Sequence, residues 1–418
     1  MNIVFENKSQ AWLLSVILAF AGPLHAGGYM QTNLVASTDA YGAAIVDPSL
    51  INAWGIAIRP AGLGGHFWVE SNGGGTSNQF VGDVGGMPLY ADDLRLVTVP
   101  GRAAGQAVSV GTPTGVAFNP GTQFTITQGS ITAPAKFIFA TDTGTISAWT
   151  ERKNPDGSFD RPAFAKIMVD RSSADAHYFG IAMGPGDNRI HVANFGSNAG
   201  IQSFDSSFAD VSAPAAFPNP FSTSATITPG DYAPFNIQAL SSPEGTSLFV
   251  PYAKTQEDPA KPGQILGGEE VSGVGLGRLA QFDGSGNLLH TWDDRGLLNA
   301  PWGVAFAPAG FGVYSGDLLV GNFGDGSIVA FDPASHRAID YLRDAQGHVI
   351  SIDGLWGLQF GNGASLGMAN ALYFAAGPQG ETEGLFGRLV AAPVPEPETW
   401  ALFVAGLVLL GSITRRRV

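Results

Sequence analysis

One short phrase recurs six times along this chain of 418 residues. A clear copy is Trp54-Gly55-Ile56-Ala57-Ile58, in which a glycine introduces a run of apolar residues. Repeats at a fixed interval are the signature of folds that are built from one supersecondary unit. The interval here is about 60 residues, and the glycine or its equivalent stands at positions 55, 115, 180, 236, 303 and 357.

Each repeat continues with further segments of β-type sequence, separated by turns. Second strands are expected at residues 66–70, 136–141, 189–193, 247–251, 317–321 and 371–375. Four repeats add a third strand that ends in an aromatic residue, namely Trp149, Phe204, Phe282 and Phe331. Fourth strands are expected at residues 94–99, 165–169, 288–292 and 338–342.

Four strands in each of six repeats predict an all-β, six-bladed β-propeller over residues 27–392. Composition agrees, because charged residues make up only 13% of the chain, against the roughly 25% of typical soluble proteins, and surface helices need charge on their wet faces. Two alternatives stay open, a pair of β-sandwiches and a seven-bladed ring. Glycine is expected at the start of each inner strand because six inner strands crowd around one axis and leave no room for a side chain.

The repeats resemble the NHL repeat, most clearly in the stretch from Val192-Ala193-Asn194 to Ile201-Gln202-Ser203-Phe204-Asp205. That resemblance implies an NHL-like propeller. The last repeat stops after a third strand at residues 387–390, and a lone strand stands at residues 33–37. We expect this N-terminal strand to close the last blade and remove two sheet edges. The alternative is a disordered leader.

The two ends of the chain carry export signals. Lys8 precedes an apolar run at residues 11–21, so residues 1–26 are predicted to be a secretory signal peptide. The chain has no cysteine, which excludes disulfides and thiol chemistry. The net charge of −14 argues against nucleic-acid binding, which needs clustered lysine and arginine.

The C-terminal segment, residues 393–418, has three parts. Pro395-Glu396-Pro397 is followed by an uncharged stretch at residues 399–414 and then by Arg415-Arg416-Arg417. The stretch is at the short limit for a single transmembrane helix, and the arginines should stay in the cytoplasm. The segment resembles the PEP-CTERM sorting tail. The alternative is an ordinary single-pass anchor.

That resemblance implies an exosortase-type transpeptidase as a partner, which cuts near Pro395-Glu396-Pro397. The chain would then be held transiently in the inner membrane, exported across it, and found after processing at the cell surface or in the extracellular matrix of a biofilm.

Oxygen-bearing side chains fall on the loops that we expect at one mouth of the central channel. Six-bladed lactonases, which such a propeller resembles, hold calcium there, and this implies Glu70, Asn194, Asn322 and Asp353 as candidate calcium ligands. The alternative is that the asparagines only form turns. Other residues expected at this mouth are Asn52, Asn72, Thr114, Asp142, Tyr252, Asn299, Asp325 and Trp356.

His177 directly precedes the inner strand of the third repeat, which makes it a candidate general base. The alternative is a histidine that only caps its loop. The chain contains no Gly-x-Ser-x-Gly elbow and no His-Glu-x-x-His motif. An insertion at residues 252–277 is longer than other connections, and we expect a lid, a docking arm or a plain surface loop.

Two functions compete at this stage. The first is a noncatalytic propeller at the cell surface that binds a polysaccharide or a protein partner. The second is a secreted metal-dependent hydrolase or lyase, similar to a lactonase, with its site at the channel mouth. The first is favoured because no catalytic motif is present.

Overall fold

A computed structural model describes residues 27–393, except residues 187, 225, 243 and 244. The predicted signal peptide and the tail from residue 394 lie outside these residues. Within the described part, no helix is long and apolar enough to cross a membrane. The helical pieces there are short, and they comprise Asp39–Tyr41, Ser172–Ala174 and Pro378–Glu381.

Six sheets form the six predicted blades, and all their strand pairs are antiparallel except the outermost pair of the sixth sheet. Each blade runs from its inner strand outwards. The first blade comprises Ala53–Ala57, Phe67–Ser71, Thr76–Phe80 and Leu96–Thr98. The second comprises Pro113–Phe118, Phe137–Thr141, Thr145–Trp149 and Lys166–Asp170. The third comprises Tyr178–Met183, Arg189–Asn194 and Gly200–Asp205. The fourth comprises an inner strand in two pieces, Tyr232–Pro234 and Gln238–Ser242, followed by Gly245–Glu257, Gly277–Phe282 and Leu288–Thr291. The fifth comprises Pro301–Phe306, Leu318–Asn322, Ile328–Asp332 and Arg337–Tyr341. The sixth is Leu355–Phe360, Leu372–Ala376, Leu385–Ala391, Tyr29–Ala36 and Ile45–Val46. Three small hairpins pair Pro100–Gly101 with Ser109–Val110, Thr125–Gln128 with Ile131–Pro134, and Arg152–Lys153 with Phe159–Asp160.

The inner strands form a closed ring in which the repeated glycines lie against the next blade. A Cβ added at Gly55 would lie 2.7 Å from the Thr114 carbonyl oxygen, and one at Gly303 would lie 2.5 Å from that of Trp356. No side chain fits into such a gap. Close packing of neighbouring strands is therefore the physical reason for the repeat.

The sixth blade is closed by the N-terminal strand, as predicted. Tyr29–Ala36 pairs antiparallel with Leu385–Ala391, from Tyr29 opposite Ala391 to Ala36 opposite Leu385. The strand begins four residues earlier than the predicted segment at residues 33–37 and carries a bulge between Asn33 and Val35. First and last segments of the domain thus share one sheet, which removes the edge that each would expose alone.

Two blades depart from the expected four simple strands. Among the described residues the third blade has three strands, and only a single bridge from Phe204 to Asp210 occupies the outer position. In the fourth blade, the inner strand is interrupted at residues 235–237, and the insertion extends the second strand into a hairpin with Ile265–Val271. The insertion is therefore ordered β structure and not an irregular loop.

Aromatic side chains pack between neighbouring blades. Trp68 of the first blade stacks on Phe137 of the second with ring centroids 4.1 Å apart, and Trp149 lies 4.9 Å away. All three are fully buried. Such rings bury large apolar areas and dominate core energetics, so the inter-blade layers hold the ring together.

The ring has two unlike faces. We call the upper face the one where the inner strands begin and the second strands turn into the third. The lower face is the opposite one, where the inner strands end and the third strands turn into the fourth.

Candidate functional site

The upper end of the central channel is filled by aromatic rings, which we call the aromatic plug. In five blades the residue before the glycine position is aromatic, and the second blade has Thr114 instead. The Trp54 and Trp356 rings stack with centroids 3.7 Å apart, and Phe323 stacks on the other side of Trp356 at 3.9 Å. The plug comprises Trp54, Phe179, Phe235, Trp302 and Trp356, each no more than 4% exposed.

Below the plug the channel retains a cavity of about 270 Å³. Its walls are the lower halves of the inner strands, and Gln238 and Gln359 contribute amide groups to it. The plug therefore closes the channel at its upper end. A ligand at the upper face meets the loops above the plug and does not enter the channel.

Asn194 and Asn322, two of the predicted calcium ligands, hold turns together. The Asn194 Oδ1 accepts the backbone N–H of His177 at 2.9 Å and that of Gly196 at 3.1 Å. The Asn322 Oδ1 accepts the backbone N–H of Asn299 at 2.9 Å, and its amide donates to the Leu297 carbonyl at 3.0 Å. Both side chains join the end of a second strand to the loop that enters the inner strand.

Glu70 and Asp353, the other two, lie in different surroundings. Glu70 is fully buried, and its Oε1 accepts the Ser77 hydroxyl at 2.6 Å. Burial raises the pKa of Glu70 well above its usual range, so the neutral acid is favoured. Asp353 is exposed and accepts the backbone N–H of Gln379 at 2.9 Å.

The four residues therefore make hydrogen bonds of their own, and nothing in their contacts gathers them around one point. Within the described ranges, no three histidine, aspartate or glutamate side chains are placed to hold a metal ion. Calcium binding by these residues stays a prediction. Tyr252, which was also expected at the channel mouth, is instead fully buried.

His177 lies on the upper face beneath the hairpin of the fourth blade. Its Nε2 lies 3.7 Å from Asp175 Oδ1. A Cβ added at Gly267 would lie 2.5 Å from that same nitrogen, so the hairpin backbone rests on the imidazole. The hairpin is also held to the third blade by a hydrogen bond from the Gly268 N–H to the Phe195 carbonyl at 3.3 Å. His177 is therefore a partly covered side chain whose role as a base stays a prediction.

Three carboxyl groups lie above the plug, and we call them the acid group: the charge of Glu381 acts on Glu270, and that of Asp142 acts on Glu381. Asp142 comes from the second blade, Glu270 from the hairpin of the fourth, and Glu381 from the sixth. The Glu381 Oε1 accepts the Asn52 amide at 3.2 Å, and the Asn52 Oδ1 in turn accepts the indole N–H of Trp356 at 3.2 Å. This chain of hydrogen bonds ties the acid group to the aromatic plug.

The loop that carries Glu381 has an unusual backbone. Gln379, Gly380 and Glu381 all have left-handed φ angles, of 57°, 62° and 66°. Non-glycine residues in this conformation are strained, and such strain is often found at functional sites. The strained turn directs Glu381 towards Asn52 at the rim of the plug.

The acid group favours bound protons. Burial, together with the neighbouring charges of Glu269 and Glu381, raises the pKa of Glu270 to about 7. Burial also raises the pKa of Glu381 and of Asp142, although hydrogen bonds from Asn52 and from Thr112, respectively, oppose the effect. A carboxyl group that titrates near neutrality, as Glu270 does, suits acid–base chemistry or the binding of a polar ligand.

Glu270 and Glu381 were missed by the sequence interpretation, because neither belongs to the repeated phrase. Glu270 lies in the insertion, and Glu381 lies in the turn before the last strand. The aromatic plug did have a signal, since the aromatic residue that precedes the glycine position recurs in five of the six repeats.

Comparisons with known proteins find relatives along most of the chain. Residues 393–418 match the PEP-CTERM protein-sorting motif. The uncharacterised protein R648 of Acanthamoeba polyphaga mimivirus is 30% identical over 369 residues, covering 88% of this chain and 82% of that protein. The uncharacterised protein L690 of the same virus is 29% identical over 372 residues, covering 88% of each.

Among solved structures, the propeller is similar to a catalytically inactive virginiamycin B lyase from Staphylococcus aureus, crystallised with quinupristin. The similarity covers 87% of this chain and 99% of the lyase, with 12% identity and a TM-score of 0.42.

Proposed function

This chain belongs to the family of the uncharacterised mimivirus protein R648, and we propose that it is an exported cell-surface propeller that binds a polysaccharide or a protein partner. The observation that carries the proposal is the sorting motif at residues 393–418. That motif supports processing by an exosortase-type transpeptidase and delivery to the cell surface.

The tail has the parts that such processing needs. Pro395 and Pro397 flank Glu396 in front of the apolar stretch at residues 399–414, and proline is unfavourable inside a helix. The arginines at residues 415–417 oppose passage of the end through the membrane. A membrane-embedded transpeptidase would therefore find the cutting site just outside the hydrocarbon.

The test is replacement of Pro395, Glu396 and Pro397 by alanine, followed by cell fractionation and mass spectrometry of the intact protein. We expect the variant to accumulate at full length in the inner membrane, while the parent chain is shortened and leaves it. Replacement of Pro393 by alanine, just before the motif, serves as the control. A surface form of the parent chain that still ends at Val418 would overturn the proposal.

Binding is proposed for the upper face, where side chains from several blades surround the acid group. The hairpin of the fourth blade covers one side of this region, and Asn52 offers an amide beside Glu381. Carboxyl and amide groups over an aromatic surface suit hydroxyl-rich or basic ligands.

This part of the proposal is tested with the matrix polysaccharide of the producing cells, in a pull-down with the processed protein. We expect Glu381→Gln to weaken retention, and Glu257→Gln, an exposed glutamate at the end of the hairpin, to leave it unchanged. Equal retention of both variants and the parent would place the binding surface elsewhere.

A second candidate is a secreted hydrolase or lyase with the acid group as its centre. The specific observation in its favour is Glu270, whose pKa of about 7 suits proton transfer and which lies on the same hairpin that covers His177. Its test is a panel of lactones, esters and glycosides, with and without calcium. Turnover that is lost in both Glu270→Gln and His177→Ala would favour this function over simple binding.

A further inference from the structure

We infer that the lower face of the propeller is a lipid-contacting surface, which rests on the bilayer while the tail is uncut, so that the acid group points away from the membrane. The inference rests on the proposed sorting function, because it takes the tail as a membrane anchor. It adds the orientation of the domain and the chemistry of the surface that meets the lipid.

Both ends of the propeller leave from the lower face. The strand Leu385–Ala391 runs from the upper face to the lower one, and it ends opposite Tyr29 of the first strand. The Ala392 N–H donates to the Gly28 carbonyl at 2.7 Å, so the two ends lie side by side. The chain therefore continues into the tail from a fixed point on this face.

The connection from that point to the membrane is short. Six residues separate Ala392 from Thr399, where the apolar stretch begins, so the two are seven Cα-to-Cα steps apart. Even a fully extended chain of this length spans at most about 25 Å, at roughly 3.3–3.6 Å per residue. The lower face is the one that such a tether holds against the bilayer.

Exposed apolar side chains mark the lower face. They lie on the loops that follow the inner strands and on the loops that follow the third strands. Val313 borders the chain ends, since a Cβ added at Gly27 would collide with it. The set comprises Leu63, Met87, Tyr90, Phe159 and Val313, with exposed fractions of 56%, 50%, 42%, 42% and 57%.

Some charged side chains on the same face form ion pairs, which lowers the cost of bringing them to a lipid surface. Glu151 bonds both Arg59 at 2.6 Å and Arg161 at 2.9 Å. Asp83 pairs with Arg388. Apolar and aromatic side chains among neutralised charges suit the interfacial layer of a bilayer.

The upper face carries exposed apolar side chains as well, Val46 and Val274 among them. It further presents the acid group together with the exposed Glu269 and Asp353. The short tether, and not the surface composition, therefore decides which face meets the bilayer.

The absence of cysteine makes the experiment direct, because each introduced thiol is the only one in the chain. In a background with Pro395, Glu396 and Pro397 changed to alanine, single variants are made at two lower sites and two upper ones. The lower sites are Leu63→Cys and Val313→Cys, and the upper sites are Val46→Cys and Val274→Cys, all on exposed apolar residues. The full-length protein is reconstituted into phosphatidylethanolamine–phosphatidylglycerol vesicles and labelled with a fluorophore.

Quenching by lipids that carry a nitroxide on the headgroup then reports the distance to the bilayer. We expect quenching at the lower sites to be at least about twofold stronger than at the upper sites, because the tether keeps only the lower face near lipid. Sedimentation with the vesicles but equal quenching at all four sites would overturn this inference alone. Failure to sediment with the vesicles would overturn the sorting proposal and the inference with it.

Discussion

Asn236 occupies the position that glycine holds in the other five inner strands. Its Oδ1 accepts the backbone N–H of Ile237 at 2.8 Å, and its Nδ2 donates to the Trp302 carbonyl of the fifth blade at 2.8 Å. In the preceding blade, Gly180 leaves room for this amide, since a Cβ there would collide with it. One asparagine thus replaces direct backbone packing by a hydrogen bond from the fourth blade to the fifth, while its amide packs against Gly180 of the third.

We predict that Asn236→Ala lowers the free energy of unfolding by about 1–3 kcal/mol, because it leaves the buried Trp302 carbonyl without its donor. Chemical denaturation monitored by tryptophan fluorescence measures the change. Asn370→Ala, at an exposed asparagine, is the matched control and should have little effect. Equal stability of the two variants would contradict the bridging role of Asn236.

Glu270 makes stability depend on pH. Its pKa is about 7 in the folded chain against an ordinary value of 4.5, so between these pH values the folded state binds the additional proton. The stabilisation of the folded state by the proton on Glu270 is fully present below pH 4.5. It falls as the pH rises to 7, and the free energy of unfolding then decreases by an amount on the order of 1–3 kcal/mol.

We therefore expect Glu270→Gln to raise the melting temperature at pH 8 relative to the parent, with a smaller difference at pH 5. Glu257→Gln, at an exposed glutamate, should change neither value. Calorimetry at the two pH values measures the effect, and parallel pH profiles for parent and Glu270→Gln would show that Glu270 titrates normally.

Residues that belong to the repeat could be predicted from the sequence, and those outside it could not. The glycines at 55, 115, 180, 303 and 357 mark the inner strands because backbone contact allows no other residue there. Glu270 and Glu381 have no such periodic signal, since their approach depends on a hairpin and on a strained turn. The acid group is a product of tertiary structure alone.

Ring closure is the main feature at the level of elements, and its existence was predictable because the last repeat lacked a strand. The length of the strand was not predictable, since Tyr29 to Thr32 extend the pairing beyond the predicted segment at residues 33–37. The insertion was predicted only as a long connection, because its sequence does not repeat and its pairing with the second strand is specific to this blade.

We predict that Val35→Asp lowers the free energy of unfolding by at least about 3 kcal/mol, because it buries a charge in the closing strand. Thr32→Asp, on the exposed face of the same strand, should cost little. Deletion of residues 27–40 should reduce stability further, because the whole ladder is lost. Unchanged denaturation midpoints for Val35→Asp and for the deletion would argue against closure by this strand.

The turns held by Asn194 and Asn322 allow a test of calcium binding. Both Oδ1 atoms already accept backbone N–H groups, so we expect Asn194→Ala to cost about 1–2 kcal/mol equally with calcium and with chelator. The parent melting temperature should also be the same in both conditions. A loss on chelation that added calcium restores would instead establish a bound ion, through the linkage between ligand binding and stability.

The whole molecule is a ring with a plugged channel and two chemically different faces. Its six-bladed form follows from the sequence, because the repeat fixes the number of inner strands. The closed upper end of the channel was not predicted, because the sequence interpretation placed oxygen ligands at the mouth. In the structure those ligands hold turns, and aromatic rings fill the space between them. Any ligand of the upper face therefore binds to a surface and not inside a pore.

Closure by the first strand also sets an order of events on the proposed export route. There the segment Tyr29–Ala36 would leave the translocation channel early, whereas its partner Leu385–Ala391 would follow about 350 residues later. Contacts between such distant segments form slowly, and an unpaired strand edge is prone to aggregation while it waits. The domain cannot complete its ring until almost the entire polypeptide has crossed the membrane, so its final folding step and the arrival of its tail at the membrane are nearly simultaneous.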